Sequence, residues 1–378
     1  MNIYMFCLDS YGANPLKYPK LCPKLTSYLN KSNLLFRNII VSTPYTYGSI
    51  AAMFTGLYGT VNGVDNWINA SKSFKKDEVI TLPEILQRLG FKTCFVGFDR
   101  WEFVPTIFEK KFLMELVQDM SDRGKYRVGR SDTKYREENT KKFAEEINKI
   151  KGDKFVFFGN MNYHDFNRCA NIDIPVTHWC DESSKYFAEG MKFMDDNMWI
   201  EYFDIDFEKD IVILFSDHGG RIWDDVYLDE AFVRCFWGIF APKLKKRIVD
   251  KYYSTVDFLS VFLKIVGETD SDILQGNREG SEYCVSFGGI GDPKLSKFTS
   301  PDKPNQFLVT DGKYYYYRHE SIGEMITQNW KDIRKIHNNK NNKSDNRKIE
   351  FYKNKMNDIL YPKRTLREFY KDFKFKHS

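Results

Sequence analysis

The sequence predicts an α/β protein with a large central, mostly parallel sheet sandwiched by helices, followed by a small C-terminal subdomain. Three observations lead to this fold class. Apolar strand-like runs alternate with amphipathic helical segments as far as about residue 267, which is typical of parallel sheets covered on both faces. Several of these runs end in polar residues. The 378 residues, of which 42% are hydrophobic and 16% aromatic, are enough for a large core.

The strands are predicted from short apolar runs bounded by turn residues. They are residues 2–8, the second half of "LCPKLTSYLNKSNLLFRNIIVS", "KTCFVGF", "KFVFFGN", "DIVILF" and "CFWGIFAP". Helices are predicted from apolar residues at helical spacing, with Pro near the first turn and Gly at the end in one case. They are the first half of "LCPKLTSYLNKSNLLFRNIIVS", residues 48–58, "TLPEILQRLG", residues 133–150, "SSKYFAEGMKFMDDNMWIEYF" and "TVDFLSVFLKIVG".

The pattern changes from about residue 290. The stretch "QFLVTDGKYYYYRHE" predicts a hairpin, and "NNKNNKSDNRK" predicts a solvated connection. We therefore expect an α/β domain over residues 1–290 and a small basic subdomain over residues 291–378.

Charge is unevenly distributed along the chain. Residues 331–378 contain 15 Lys and Arg against 6 Asp and Glu, a net charge of +9, whereas the remaining 42 basic and 46 acidic residues give −4. A basic segment of this kind binds nucleic acid, anionic lipid or an acidic polymer in some proteins. Here the basic residues alternate with aromatic ones, which favours a solvated helical face, and we expect no nucleic-acid partner.

The sequence predicts neither a transmembrane segment nor a signal peptide. No run of about 18 apolar residues predicts a transmembrane segment, and "MNIYMFCLDSYG" is typical of a buried first strand rather than of a signal peptide. The seven cysteines form no C-x-x-C pair and lie mostly in apolar runs. We expect reduced cysteines in a cytoplasmic protein.

Polar residues that could carry chemistry follow several predicted strands. Asp9, the loop of residues 43–49, His164 and the pair Asp217–His218 all come just after strand ends, where ligands bind in open α/β sheets. Asp217 and His218 in "FSDHGG" can reach one cation, and Asp9 is a third candidate ligand. A Thr46 hydroxyl would complete an oxygen and nitrogen site suited to zinc, or with waters to manganese. An Asp after a strand is also a common helix cap.

The stretch "TPYTYGSIAAMFTG", residues 43–56, predicts a loop that leads into a helix. Amides at a helix start lie outside the helical hydrogen-bond ladder and attract anions. Thr46 is therefore either a turn residue or a nucleophile, and we favour the nucleophile.

Six segments in one order resemble the sulfatase-like branch of the alkaline phosphatase superfamily. The segment "FRNIIVSTPYTYGSIAAMFTG" aligns without a gap with the family's nucleophile segment. The others are "TLPEILQRLGFKTCFVGF", "NMNYHDF", "MKFMDDNMWIEYF" with "DIVILFSDHGG", "VRCFWGIFAPK" and "TVDFLSVFLKIVG". The resemblance extends from Asp9 to about Gly267 and implies the alkaline phosphatase-like fold.

The chain departs from the sulfatase pattern at the residues that handle sulfate. Thr46 occupies the position where sulfatases carry the Cys or Ser that becomes formylglycine, and the family's Pro and Arg after it are missing. Phe98 stands in place of one sulfate-binding lysine, and residues 219–233 contain no lysine. Ser10 stands beside Asp9 where the family has paired acids. In these departures the chain resembles relatives that use an unmodified threonine: lipoteichoic acid synthases, phosphoethanolamine transferases and nucleotide phosphodiesterases.

The resemblance assigns roles residue by residue. It implies one divalent metal, zinc or manganese with calcium as a third candidate, held by Asp9, Thr46, Asp217 and His218. A second metal is not expected, since the chain has only six His and no D-x-x-x-H motif. A second ion would need His164 or His178 as a ligand. His164 would be the general acid. The residues expected to line the substrate pocket are Tyr45, Tyr47, Gly48, Asn66, Trp67, Arg100, His178 and Arg221.

The expected function is a metal-dependent hydrolase or transferase that acts on phosphate mono- or diesters through a covalent phospho-Thr46 intermediate. The substrate would be a small-molecule or glycan phosphoester. An atypical sulfuric ester hydrolase and a non-catalytic binding protein on a degenerate sulfatase scaffold are the alternatives. The natural substrate, the choice between hydrolysis and transfer, and the oligomeric state are left open by the sequence.

Overall fold

The computed structural model describes most of the chain. The described residues are 1–65, 70–98, 101, 103–114, 118–120, 126–128, 133–169, 184–220, 228–268, 274–288, 303–338, 345–363 and 365–366.

An eight-stranded sheet, a four-stranded sheet and an antiparallel pair of short strands, Gln118–Met120 with Tyr126–Val128, organise these residues. The strands are β1 (Ile3–Leu8), β2 (Leu34–Ile40), β3 (Lys92–Phe98), β4 (Lys110–Met114), β5 (Gln118–Met120), β6 (Tyr126–Val128), β7 (Lys154–Asn160), β8 (Ile211–Phe215), β9 (Arg234–Phe240), β10 (Arg247–Ser254), β11 (Cys284–Gly288), β12 (Gln306–Thr310), β13 (Tyr315–His319) and β14 (Gly323–Thr327). The large sheet has the order β10-β2-β9-β8-β1-β7-β3-β4. The pairs β8–β1, β1–β7, β7–β3 and β3–β4 are parallel, whereas β9 runs antiparallel to β8. The predicted fold class is confirmed.

Helices connect the strands in the predicted alternation. They are α1 (Asn14–Lys17), α2 (Pro23–Lys31), α3 (Thr46–Thr55), α4 (Gly59–Asn62), α5 (Ala70–Ser73), α6 (Leu82–Arg88), α7 (Thr133–Asn148), α8 (Phe166–Cys169), α9 (Phe187–Asp196), α10 (Glu230–Val233), α11 (Phe258–Ile265) and α12 (Asn346–Leu360). Short 3-10 turns occur at Pro19–Leu21, Val104–Ile107, Ile200–Tyr202, Thr255–Asp257 and Trp330–Asn338. Among the described residues, no helix is both long and apolar enough to cross a bilayer.

Two helices have boundaries that differ from those predicted. Helix α3 covers Thr46–Thr55 rather than residues 48–58, because Gly56 adopts a left-handed conformation (φ 64°) that ends it. Helix α9 begins at Phe187 and ends at Asp196, and the chain then turns through a left-handed Trp199 (φ 57°). In each case a local backbone turn interrupts a longer apolar pattern.

The chain groups into two compact units. The first contains Met1–Phe36, Pro83–Ile222 and Phe236–Val249, and the second contains Arg37–Leu82, Trp223–Cys235 and Asp250–Ser378. The predicted domain boundary at residue 290 stays a prediction. The six cysteines in the described part of the chain are free, and five are buried; the expected cytoplasmic location also stays a prediction.

The first unit has an aromatic core around β1 and β7. All six residues of β1 are buried, and Phe6 packs edge-on against Phe158 with ring centroids 6.0 Å apart. Trp101 packs over β7 at Gly159, where a Cβ atom would lie 2.7 Å from the indole ring. The glycine is required because the indole occupies the space of its side chain. Strand β1 is thus rigidly held between its two parallel neighbours.

The second unit has its own core between the four-stranded sheet and α12. Buried residues of both elements form one cluster with residues of α3 and the 3-10 turn that precedes α11; it consists of Ala52, Tyr58, Val256, Val285, Phe287, Phe307, Val309, Tyr316, Ile349, Tyr352, Met356 and Leu360. The predicted hairpin "QFLVTDGKYYYYRHE" is confirmed as β12 and β13, which are antiparallel.

The Asp257 carboxylate joins the end of β10 to the chain around residues 277–281, both in the second unit. It accepts hydrogen bonds from the amides of Ser254 (2.7 Å), Asn277 (2.7 Å) and Ser281 (3.1 Å), and from the Ser281 hydroxyl (2.7 Å). Burial raises the pKa of Asp257 to about 6, although these four donors act in the opposite direction. The carboxylate is therefore an anchor for three buried or partly buried amides.

Replacing Asp257 by Ala should lower the free energy of unfolding by about 2–4 kcal/mol, because four donors lose their acceptor. Urea unfolding at about pH 8, above the raised pKa, measures the change. The control is Asp345→Ala, which removes an exposed helix cap that accepts one bond from Lys348 and should cost about 1 kcal/mol. Similar small losses in both variants would contradict the anchoring role.

Candidate active site

The pairing of β1 with β8 brings two aspartates to the same edge of the sheet. The register places Cys7 opposite Phe215, and Asp9 and Asp217 each follow two residues later. Because the strands are parallel, both carboxylates emerge at their carboxyl ends, where ligands bind in α/β folds. Both side chains are buried.

A tight turn at Ser10 fixes the two carboxylates. Ser10 has a left-handed backbone (φ 63°), which is uncommon for a residue other than glycine and is found at constrained sites. Its amide donates to Asp217 Oδ1 (3.0 Å), and its hydroxyl donates to Asp9 Oδ1 (2.8 Å). The amide of His218 also donates to Asp217 Oδ1 (2.9 Å). These bonds orient the carboxylates before any ligand binds.

The orientation of His218 leaves one ring nitrogen facing the carboxylates. Its Nδ1 lies 2.8 Å from the carbonyl oxygen of Gly219, and a carbonyl only accepts, so Nδ1 carries the hydrogen in the neutral ring. The lone pair is then on Nε2, which lies 3.7 Å from Asp9 Oδ1 and 3.6 Å from Asp217 Oδ2. A histidine fixed through Nδ1 by a carbonyl is typical of metal ligands.

The three side chains fit a divalent cation. One ligand atom from each of Asp9, Asp217 and His218 lies within 4.8 Å of the others. Ligands about 2 Å from a tetrahedral ion lie about 3.3 Å apart, close to the separations observed. Two buried carboxylates are costly without a compensating charge. The donor set is two carboxylates and one imidazole, and which metal it selects stays a prediction.

The predicted nucleophile lies at the first position of helix α3, in the second unit. Tyr45 is extended (φ −151°, ψ 151°) and precedes the helix, which starts at Thr46. Thr46 is half-buried. This position agrees with the prediction that the Thr46 hydroxyl lies at a helix start, where neighbouring amides attract anions. Its contact with the metal ligands stays a prediction.

Gly48 has a packing reason of its own to be glycine. A Cβ atom there would lie 2.2 Å from Thr43 Oγ1 and 2.8 Å from the Tyr45 ring. The segment of residues 43–45 therefore packs directly on the first turn of α3. These contacts are with the chain's own residues, and the expected place of Gly48 in the substrate pocket stays a prediction.

Two tyrosines flank Thr46, and both are half-buried. Burial raises the pKa of Tyr45 well above its usual range, and the nearby Asp65 carboxylate acts in the same direction. Tyr45 is therefore a neutral phenol at physiological pH. Roles of Tyr45, Tyr47 and Gly48 in binding substrate stay predictions.

His164 lies in the turn after β7. Its Nδ1 is 2.9 Å from Asp165 Oδ1, and 23% of its side chain is exposed. The loop is thus able to present an imidazole held by a carboxylate. The remaining predicted pocket residues, Asn66, Trp67, Arg100, His178 and Arg221, lie outside the described residues.

The structure adds participants that sequence reasoning missed. Ser10 was interpreted only as a lost acid, whereas its amide and hydroxyl orient both aspartates. The Gly219 carbonyl sets the His218 ring. The "DS" and "HGG" sequences hinted at a sharp turn at each place, but not at which groups would meet there.

A family comparison agrees with this geometry. The sulfatase family model matches residues 7–268. No curated protein matches the chain.

Solved structures share the fold at low sequence identity. A 2-O GAG sulfatase has a TM-score of 0.69 and 14% identity, over 99% of this chain and 94% of that chain. The phosphonate monoester hydrolase of Agrobacterium radiobacter has a TM-score of 0.66 and 12% identity, over 95% of each chain. The lipoteichoic acid synthase LtaP from Listeria monocytogenes has a TM-score of 0.57 and 14% identity, over 95% of this chain and 92% of that chain. The likeness establishes the fold.

Replacing Ser10 by Gly should weaken metal binding about tenfold, because Asp9 loses the hydrogen bond that orients it. Glycine tolerates the left-handed backbone, so the amide bond to Asp217 is retained. Competition with a chelator for zinc or manganese measures the affinity. The control is Ser32→Ala, which removes a buried hydroxyl bonded to Leu29 of its own helix. An affinity unchanged in Ser10→Gly would exclude this role.

Proposed function

The chain belongs to the sulfatase family, and we propose that it is a metal-dependent hydrolase or transferase of phosphate mono- or diesters that works through a phosphorylated Thr46. The single observation that carries the proposal is the buried group of Asp9, Asp217 and His218, whose ligand atoms lie within 4.8 Å of one another. Enzymes of this superfamily use a divalent metal, and a retained ligand set argues against a purely binding role.

The bound ion would stabilise negative charge on the oxygens of the ester and favour ionisation of a nearby hydroxyl. Asp9, Asp217 and His218 would hold it, with Thr46 as the proposed fourth ligand. Zinc or manganese is favoured by the mixed oxygen and nitrogen donors, and calcium is the third candidate. We propose one ion rather than two.

Phosphate is favoured over sulfate by the residues near the expected ester. Thr46 is not a residue that can become formylglycine. Phe98 occupies the place of a sulfate-binding lysine, and its side chain is 2% exposed. The chain therefore departs here from the pattern of sulfate-specific enzymes. The names of two fold neighbours, a phosphonate monoester hydrolase and a lipoteichoic acid synthase, agree with a reaction at phosphorus.

The proposed reaction has two steps. The Thr46 oxygen forms a bond to phosphorus and loses its proton to water, while the bond from phosphorus to the leaving oxygen breaks. The electron pair of that bond goes to the leaving oxygen, which takes a proton from His164. Water or an acceptor alcohol then forms a bond to phosphorus and gives its proton to His164, while the bond from phosphorus to the Thr46 oxygen breaks and that oxygen takes a proton from water. The acceptor determines whether the outcome is hydrolysis or transfer.

Sulfuric ester hydrolysis remains the second candidate. A specific observation favours it: the 2-O GAG sulfatase covers 99% of this chain. A glycan ester is accordingly a substrate class for either candidate.

Replacing Thr46 by Ala should reduce turnover of a para-nitrophenyl phosphate mono- or diester by about 10³-fold or more, because the covalent step is lost. The Thr46→Ser control keeps a hydroxyl and should retain part of the activity. Acid-quenched wild type should contain phosphothreonine by mass spectrometry. Metal content is measured in every variant.

The outcomes separate the candidates. Turnover of para-nitrophenyl sulfate in preference to the phosphates would favour the sulfuric ester hydrolase. Full activity in Thr46→Ala would exclude the proposed nucleophile. Absence of both bound metal and turnover in the wild type would favour the binding protein.

A further inference from the structure

The turn after β7 is held rigidly and exposes one polar side chain. Asn162, Tyr163 and Asp165 are at most 1% exposed, whereas 23% of the His164 side chain is exposed. The Asp165 amide donates to the Met161 carbonyl (2.9 Å). Tyr163 packs against Tyr11 with ring centroids 4.6 Å apart. The position of His164 is therefore set by buried neighbours on both sides.

Asp165 lies between His164 and a buried arginine. Its Oδ1 is 2.9 Å from His164 Nδ1, and its Oδ2 is 2.8 Å from Arg136 Nη2. Arg136 is fully buried, donates from Nη1 to Asn162 Oδ1 (3.3 Å) and lies 4.7 Å from the centre of the Phe98 ring. The guanidinium cannot lose its charge, and an adjacent positive charge favours the ionised form of a buried carboxyl.

This charge pattern decides which nitrogen of His164 carries hydrogen. An ionised carboxylate only accepts hydrogen bonds. His164 Nδ1 must therefore donate to Asp165, and Nε2 is the atom that can exchange a proton with a substrate. The same arrangement of carboxylate and imidazole sets the tautomer in serine hydrolase triads.

We propose that Asp165, kept ionised by Arg136, is a positioning residue that holds His164 in the Nδ1–H form for proton transfer through Nε2. The proposal rests on the proposed function. As the bond between phosphorus and the leaving oxygen breaks, its electron pair moves to that oxygen, which takes the Nε2 proton. The imidazolium becomes a neutral imidazole, whose Nδ1–H still donates its hydrogen bond to Asp165.

The proposal also narrows the substrate class. An acid is needed when the leaving group is a poor one, such as the alkoxide of a sugar or another alcohol, and is of little use to a nitrophenolate. A positioned His164 therefore favours phosphate esters of alcohols as natural substrates. An ion pair that served only to anchor the turn would imply no preference among leaving groups.

The first test does not depend on activity. Nitrogen NMR of protein labelled with ¹⁵N-histidine reports the tautomer of each ring, and His164→Gln identifies the His164 signals. Wild type should show a protonated Nδ1 at His164, and Asp165→Asn should change the tautomer, because an amide group can also donate. A hydrogen on Nε2 alone in the wild type, or an unchanged tautomer in Asp165→Asn, would overturn the proposal. If Asp165→Asn does not fold, the wild-type signal decides.

The second test compares leaving groups. Asp165→Asn and His164→Gln should each lower kcat on a phenyl phosphate ester by about 10²-fold or more, and on the dinitrophenyl ester by less than about fivefold. The double variant should be no worse than either single one. The control is Asp195→Asn, another buried aspartate of the first unit, whose carboxylate accepts from the amides of Lys24 and Leu25; it should leave the ratio between the two esters unchanged.

The two tests distinguish the possible failures. Equal losses on both esters would overturn the positioning role while leaving the proposed function intact. No turnover of either ester by metal-loaded wild type would count against the proposed function, and the NMR result would still decide the tautomer.

Discussion

The parallel pairing of β1 with both β7 and β8 is the constraint on which the candidate site depends. Strand β1 is buried along its whole length, and its backbone pairs Cys7 with Gly159 on one side and with Phe215 on the other. The loops that follow the three strands therefore leave the sheet at the same edge. One carries Asp9, one His164, and one Asp217 with His218. A shift of register in either pair would separate these groups.

The same edge concentrates charge in a buried environment, and the chain compensates with short polar contacts. Ser10 uses a left-handed backbone to reach both aspartates. The Gly219 carbonyl holds the far nitrogen of His218. Each contact costs some conformational freedom, since it requires a sharp turn or a fixed ring, and each is useful only if the carboxylates and the imidazole must face one another. This supports a cation site more strongly than the ligand types alone.

The second unit supports helix α3, which begins at the proposed nucleophile Thr46, by different means. Helix α3 packs into a core made from the four-stranded sheet and α12, and the segment before it presses against Gly48. Asp257 ties the start of α11 to the chain around residues 277–281. Thr46 thus begins a helix whose other residues are mostly buried. Strands β12 and β13 and helix α12 belong to the segment that the sequence predicted as a separate basic subdomain, and they contribute to that core.

The sequence by itself determined the alternation of strands and helices, the fold class, and the residues at the strand ends. Asp9, Asp217 and His218 were identified because ligating side chains followed apolar runs, a feature that needs no knowledge of distant contacts. Only the tertiary structure decided which atoms face one another. Arg136 lies in the first turn of a charged helix, and nothing in the sequence relates it to Asp165, because their ion pair forms only when α7 packs beside the turn after β7. The role of Ser10 likewise depends on a strand register that joins residues more than two hundred positions apart.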